Sequence, residues 1–467
     1  MYFTHMFRNI ISKKWSPINI ITAIGMLFRI LFLIIGVWLD KDSLQIGVKY
    51  TDVDYFVFSD AGQVAYNGGS PYERPTYRYP PILAFLCIPN YAMGLPLFGK
   101  LLFTIADALI TKCVYEVVLE LELSKVPQAS ENYHENAAIS KKYAQWWAFI
   151  WAFNPLSTII CTRGNADSLT NALILLTLSN LLHWRRTFCN YYLIIAGGVF
   201  GLAVHLRLYP IIYIPAICWY VVSHQPRFMS IFTFATAAMS VVFFLGAVSY
   251  SLYGFQYLDN AYIYHSHRKD PRHNFSVFFL DIYLHVSEQK VANIGHIANH
   301  NVSSYLVAAY HGASAVLRTF LPQIILLLVS AQRLARSNLG LCFLVQTMLF
   351  VAFNKVATAQ YFTWYLCLLP IATPRHVGYM LGFTAPEPSA NTEPRAQALQ
   401  YTALLTQRWV VLGAFFSILI SMCLWLHRAY ALEILGESVF LDVALSGAVL
   451  LAAHVFAILV LLRVFTK

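Results

Sequence analysis

The first residues able to do chemistry lie in one run, YTDVDYFVFSDAGQVAYNGGSPYERPTYRYPP, residues 50–81. Asp52 and Asp54 form an Asp-x-Asp pair, and Asp60 follows. Tyr72, Tyr77 and Tyr79 are interspersed with Arg74 and Arg78. In an extended segment, residues i and i+2 face the same side. That conformation would put both carboxylates on one face and Tyr77 with Tyr79 on another. Such a loop can hold a polar sugar beside an acid–base group. By itself, an Asp-x-Asp pair is more at home in a solvated loop between helices.

Further along, His265, His267, Arg268, Lys269, Arg272 and His273 crowd basic side chains into HSHRKDPRHNFS. Charge-assisted hydrogen bonds make such a run suited to phosphate. Composition alone allows equally a basic loop against anionic headgroups. Asp270 within the run favours a folded, ion-paired structure. Arg163 and Asp167 have the i,i+4 spacing of a pair at a helix start. His205 and Arg207 end an apolar stretch, where a snorkelling Arg is ordinary. The aromatic run TAQYFTWY (358–365), with Gln360, Tyr361 and Trp364, fits stacking on sugar or an interfacial aromatic belt. Asn274-Phe-Ser276 and Asn301-Val-Ser303 are glycosylation sequons. Asn274 lies inside the charged cluster and reads as structural.

These residues must be positioned by a membrane scaffold. The 467 residues are 58% hydrophobic and 12% charged, against about 25% charged in soluble domains. The expected class is an all-α polytopic membrane protein with about 10–13 spans, forming a single domain over 1–467. The net charge of +10 reads as orientation and lipid contact. No basic block with interleaved aromatics indicates a nucleic-acid partner. The eight cysteines stand singly, without metal spacing or a disulfide framework. The first apolar run, 18–39, reads as a retained anchor, not a cleaved signal.

Arg8, Lys13 and Lys14 precede that run and place the N-terminus in the cytoplasm. Residues 40–81 then form a first lumenal loop. Residues 82–93, short and interrupted by Pro89, read as re-entrant or interfacial. Residues 95–121 span with Asp107 and Lys112 facing protein or a cavity, and 123–142 read as a cytoplasmic loop. Spans are expected at 143–161, 169–184, 191–204, 208–222 and 230–252, with kinks at Asn154–Pro155 and Tyr209–Pro210. A second lumenal region, 253–305, includes a half-apolar stretch from 277 to 300 lying along the interface. Spans at 313–330, 339–353 and 360–371 precede a cytoplasmic loop at 385–407 and two final spans. This orientation puts Asp52/Asp54, Arg163/Asp167, His205/Arg207, 265–273 and Lys355/Gln360 on one side, as for a single shared cavity. No internal repeat suggests the inverted symmetry of many transporters.

Six blocks carry a resemblance: TDVDYFVFSDA, GGSPYERPTYRYPP, NPLSTIICTRGNADS, GLAVHLRLYP, YHSHRKDPRHNFS and FNKVATAQYFTWYLCLLP, between Thr51 and Pro370. Together they resemble the family of GPI mannosyltransferase I catalytic subunits. The resemblance implies a GT-C glycosyltransferase of the endoplasmic reticulum membrane with a lumenal active site. It would move the first mannose, α1,4, from β-linked dolichyl phosphate mannose to glucosaminyl-phosphatidylinositol, acylated on inositol or not. Net inversion implies a single displacement with one carboxylate as base. That base is one of the pair: Asp52, with Asp54 orienting the acceptor or the base, or the two roles exchanged. Arg268, Lys269, Arg272 and His273, assisted by Arg163 or His205, would take the donor phosphate. Tyr77, Tyr79, Gln360, Tyr361 and Trp364 would contact sugar or acceptor. No cofactor and no metal are expected, a divalent ion on Asp52/Asp54 being the less favoured role. A small single-span stabilising subunit is the implied partner. The competing readings are another dolichyl-phosphate-mannose-dependent mannosyltransferase and a transporter or scramblase of lipid-linked sugars.

Overall fold

The computed structural model describes residues 16–41, 49–124, 133–225, 228–267, 273–284, 320–372 and 394–465, with the side chains of 266–267, 394–408 and 465 excepted. Every regular element among the described residues is helical. Among the described residues, four helices are long and apolar enough to cross a bilayer: Pro17–Leu39, Phe228–Tyr253, Trp409–Glu433 and Phe440–Val464. Four shorter apolar helices accompany them. The chain is an all-α polytopic membrane protein. It divides into two compact units, residues 1–77 with 81–206, and residues 78–80 with 207–467.

In the first unit, helix α1 (Pro17–Leu39) opens on a proline, whose missing N–H costs nothing at a first helical position. Gly25, Arg29, Leu33 and Gly36 form its buried stripe. Leu27, Leu31, Ile34 and Trp38 point outward, as a lipid-facing surface should. Arg29 is fully buried. Its Nε and Nη2 donate to Asp107 Oδ2 at 2.8 and 2.6 Å, and its Nη1 donates to the Ala152 carbonyl at 2.7 Å. The Ser157 hydroxyl donates to the same Asp107 oxygen at 3.3 Å. The expectation that Asp107 faces protein is met.

Helix α2 (Val53–Tyr66) follows the first loop. As expected, 82–93 is broken at Pro89, into α3 (Pro81–Cys87) and a single turn, Pro89–Ala92. Helix α4 (Phe98–Leu123) packs against α1, against α5 (Tyr133–Ala152), against α6 (Pro155–Thr162) and against α7 (Asp167–Thr187). Helix α8 (Asn190–Leu206) lies on α7. The reading of 123–142 as a loop fails from Tyr133 onward. There the buried face is Ser140, Tyr143, Ala144 and Trp147, a helical spacing carried by small and amphipathic residues that hydropathy underrates. The kink at Asn154–Pro155 is a full break: Asn154 Oδ1 caps α6 by accepting from Leu156 N and Ser157 N at 3.0 and 3.1 Å.

In the second unit, a short 3-10 turn (Tyr209–Tyr213) leads into α9 (Ile214–His224), only 11 residues long. The prolines at 210 and 215 divide what read as one span. Helices α10 (Phe228–Tyr253), α11 (Phe320–Leu334) and α12 (Leu339–Ala352) follow. The expected span at 360–371 is two short helices, Phe362–Leu366 and Leu369–Ala372. Helix α13 (Pro394–Glu433) extends back into the segment read as a loop to residue 407, and packs on α14 (Phe440–Phe465).

Breaking a buried ion pair leaves an uncompensated charge, at a cost of about 3–5 kcal/mol. Asp107→Ala should therefore lower the melting temperature of the detergent-solubilised protein sharply. Replacing both partners, Arg29→Met with Asp107→Leu, should recover most of the loss. A double variant no better than Asp107→Ala would show that the pair is not the source of the effect.

Candidate active site

The segment before α2 is tied to three helix ends of the first unit. Asp40, at the end of α1, accepts from Tyr50 N at 2.6 Å and Thr51 N at 3.2 Å, and from the Thr51 hydroxyl. Burial would raise the Asp40 pKa, but the hydrogen bonds from Thr51 and Tyr50, with the charge of Lys100, hold it below the usual carboxylate value. From α4, Lys100 Nζ donates to Thr51 Oγ1 at 2.5 Å. From the end of α6, the Thr162 hydroxyl meets Tyr50 Oη at 2.7 Å, and the Arg163 carbonyl accepts from Asp52 N at 2.9 Å.

Asp52 is the N-cap of α2: its backbone is extended (φ −66°, ψ 143°), and its Oδ1 accepts from Asp54 N at 3.1 Å. The expected extended run is thus a helix start, with Asp52 outside the first turn and Asp54 within it. The i,i+2 argument for a shared face does not apply there, because Asp54 has entered the helix while Asp52 has not. What joins the pair is the cap bond itself. Both carboxylates lie at the positive end of α2, where anionic charge is favoured.

Arg163 ends α6 and Asp167 begins α7, so they do not share a helix. Gly164 turns between them at φ +97°, and a Cβ there would lie 2.6 Å from the Tyr55 ring. Asp60 pairs with Arg74 at 2.9 Å. Tyr77 is fully buried, with its hydroxyl accepting from Ala84 N at 3.1 Å. His205 is buried, and its Nδ1 has no hydrogen-bond partner among the described residues.

In the second unit, the guanidinium of Arg207 lies 4.9 Å from the Tyr79 ring centre and that of Arg78 lies 4.4 Å from Tyr264. Arg78 also donates to Asn260, and its carbonyl lies 3.1 Å from His265 Nε2. His273 is held by Glu433, through its backbone N–H at 2.9 Å and its Nδ1 at 2.9 Å. Asn274 is fully buried. Its Oδ1 accepts from Ser276 N and Ala357 N, both at 3.0 Å, and its Nδ2 donates to the Lys355 carbonyl at 3.2 Å. The structural reading of this sequon holds. Phe275 stacks on Trp425 at 4.0 Å. Trp364 is buried and stacks on Tyr209 at 3.8 Å and on Tyr361 at 4.0 Å. Gln360 is half-buried. Arg268, Lys269, Arg272 and Asn301 lie outside the described residues.

Residues 160–462 match the family described as "Mannosyltransferase (PIG-M)". The chain is 33% identical over 439 residues to GPI mannosyltransferase 1 of Saccharomyces cerevisiae, covering 92% of this chain and 89% of that one. The chain belongs to the GPI mannosyltransferase 1 family. It is 32% identical to the Dictyostelium discoideum member over 463 residues, covering 95% and 90% of the two chains. It is 36% identical over 359 residues to the Danio rerio "GPI alpha-1,4-mannosyltransferase I, catalytic subunit", covering 75% and 79%. Residues 23–283 also match a different family, "GPI transamidase subunit PIG-U". As a GPI mannosyltransferase, the chain is a membrane glycosyltransferase of GPI-anchor biosynthesis.

Sequence reasoning passed over Asp40, Thr51, Lys100 and Glu433. Lys100 stands at the start of an apolar run, where a lysine reads as a flanking charge. Its signal was the preceding Gly99, at which a Cβ would come within 3.0 Å of the Tyr55 ring. Close backbone approach of that kind marks a packed position on the helix.

Two outcomes follow from these geometries. In an Asn301→Gln background, endoglycosidase treatment should produce no mobility shift, since Asn274 is buried; a shift would mean that the loop is open. Separately, an Asp with a lowered folded pKa contributes stability above its unfolded value near about 3.9, and loses it as pH falls through the folded value. The stability difference between the wild-type protein and Asp40→Asn should be level from about pH 5 to 8 and shrink below about pH 4. A difference that grows on acidification would reverse the assignment.

Proposed function

We propose that the chain transfers mannose in α1,4 linkage from dolichyl phosphate mannose to glucosaminyl-phosphatidylinositol, acylated or not, at the lumenal face of the endoplasmic reticulum. The fold is of the GT-C type. The observation that carries this reading is the fixed placement of Asp52. Its backbone N–H is bound to Arg163 and one carboxylate oxygen caps α2, while Oδ2 makes no hydrogen bond among the described residues. That oxygen takes the proton of the acceptor 4-hydroxyl. The acceptor oxygen forms a bond to mannose C1 as the C1–O bond to phosphate breaks, and the electron pair leaves on dolichyl phosphate. A β-linked donor then gives an α-linked product in one displacement.

Asp54, held through the cap bond, orients Asp52 and the acceptor. Arg268, Lys269 and Arg272, with Arg163 or His205, offset charge on the departing phosphate. His273 joins them by exchanging Glu433 for phosphate. Tyr77 supports the loop, Tyr79 and Gln360 contact acceptor or sugar, and Trp364 is the base on which Tyr361 rests. A small single-span subunit accompanies the chain. The name of the Danio rerio relative, an α-1,4-mannosyltransferase, supports the linkage. The leaving group is a monophosphate whose charge basic side chains can take, so the pair is read as acid–base machinery.

The test uses purified protein, dolichyl phosphate mannose and synthetic glucosaminyl-phosphatidylinositol. Asn is as good an N-cap as Asp, so Asp52→Asn removes the base while keeping the helix start. Turnover should fall about 10²–10⁴-fold, the ordinary worth of a general base, and near-normal turnover rules Asp52 out. Activity should survive excess EDTA; strict Mn²⁺ or Mg²⁺ dependence would give the pair to a metal instead.

A further inference from the structure

Lys100 sits near the start of α4 and is only 3% exposed, so its ammonium cannot snorkel to water. Its Nζ donates to Thr51 Oγ1 at 2.5 Å and lies 5.3 Å from the centre of the Tyr55 ring. One cation therefore touches the residue before Asp52 and the residue after Asp54. A threonine hydroxyl has a single proton. Thr51 gives that proton to Asp40, so toward Lys100 it is purely an acceptor. The chain Lys100 to Thr51 to Asp40 is a polarised relay with a cation at one end and an anion at the other.

Lys100 makes no direct ion pair among the described residues. The carboxylates whose charge acts on it are Asp40 and Asp52, the second being the proposed base. A buried ammonium without direct carboxylate contact is an unfavourable filler. A methionine would occupy the same volume without desolvating a charge. Packing alone therefore does not account for a lysine here, whereas the placement of a carboxylate does.

We propose that Lys100, acting through Thr51 and Asp40, is a positioning residue for the Asp-x-Asp pair: its ammonium fixes the residues on both sides of Asp52–Asp54 and biases where their carboxylates rest. The proposal rests on the reading of this pair as the reacting carboxylates. It predicts a defect in the reaction step and not in substrate binding.

The experiment measures kcat and KM for both substrates with the full-length enzyme, comparing Lys100→Met, Lys100→Arg, Thr51→Val, Thr51→Ser and Asp52→Asn. Lys100→Met and Thr51→Val should each lower kcat about tenfold or more, with KM changed less than about twofold. Lys100→Arg and Thr51→Ser should recover much of the loss. The double variant Lys100→Met/Thr51→Val should be little worse than either single one, as coupled residues are. Thr51→Val removes no charge, so it reports on the relay even if Lys100→Met fails to fold. Normal kcat in Thr51→Val, or a raised KM for dolichyl phosphate mannose with kcat preserved, overturns the proposal; the latter would make Lys100 a phosphate ligand. If Asp52→Asn turns over normally while the Lys100 and Thr51 variants are impaired, the base assignment falls and the positioning of the segment stands.

Discussion

A guanidinium and a carboxylate bonded inside the first unit hold the helices whose ends fix the Asp-x-Asp segment. Arg29 on α1 and Asp107 on α4 meet at 2.6 Å, with the Ala152 carbonyl of α5 as a third partner. Eleven residues beyond Arg29, α1 ends at Asp40. Seven residues before Asp107, α4 presents Lys100. The Ser157 hydroxyl brings in α6, which delivers Arg163. Each helix is a rigid rod rising about 1.5 Å per residue, so fixing the rods at one level fixes their tips at another. In an apolar surrounding, where every polar group must be satisfied internally, this cluster cannot relax into solvent, and its geometry passes undiluted to the tips.

The tips then order a chain segment with little structure of its own. Asp40, Thr162 and Arg163 bind the backbone and side chains of residues 50–52, and α2 starts where they release it. The Asp-x-Asp pair is therefore precise because of its neighbours. Its own sequence asks only for a capped helix start, a common feature with no chemistry attached. The second unit uses a comparable device. His273, Asn274 and Phe275 are each anchored, on Glu433, on residues 355–357 and on Trp425.

Composition made the all-helical membrane class legible, and the ordered blocks made the family legible. The broken segment at Pro89 was readable because proline leaves a visible mark. Other boundaries were not. Helix α5 begins among polar residues because its buried face is Ser140, Tyr143 and Ala144, and hydropathy scores that face as loop. The span expected at 360–371 is instead two short helices, and Trp364 there stacks on Tyr209, a long-range contact no local pattern reveals. Asp52 and Asp54 were legible as residue types, but their setting was not. Whether a pair lies in a strand or at a cap depends on Arg163, more than a hundred positions away. Lys100 and Asp40 were missed for the same reason: each looked like an ordinary charge at a membrane boundary.

The amide of Asn274 joins positions 83 residues apart, since its Oδ1 receives Ala357 N. During synthesis the asparagine emerges first, and the backbone that consumes it comes later. Until residue 357 arrives, the sequon is an open peptide. Afterwards it is sealed. A glycan on Asn274 and the bonds its amide makes to residues 355–357 are mutually exclusive, so a chain folded in this way carries the asparagine bare.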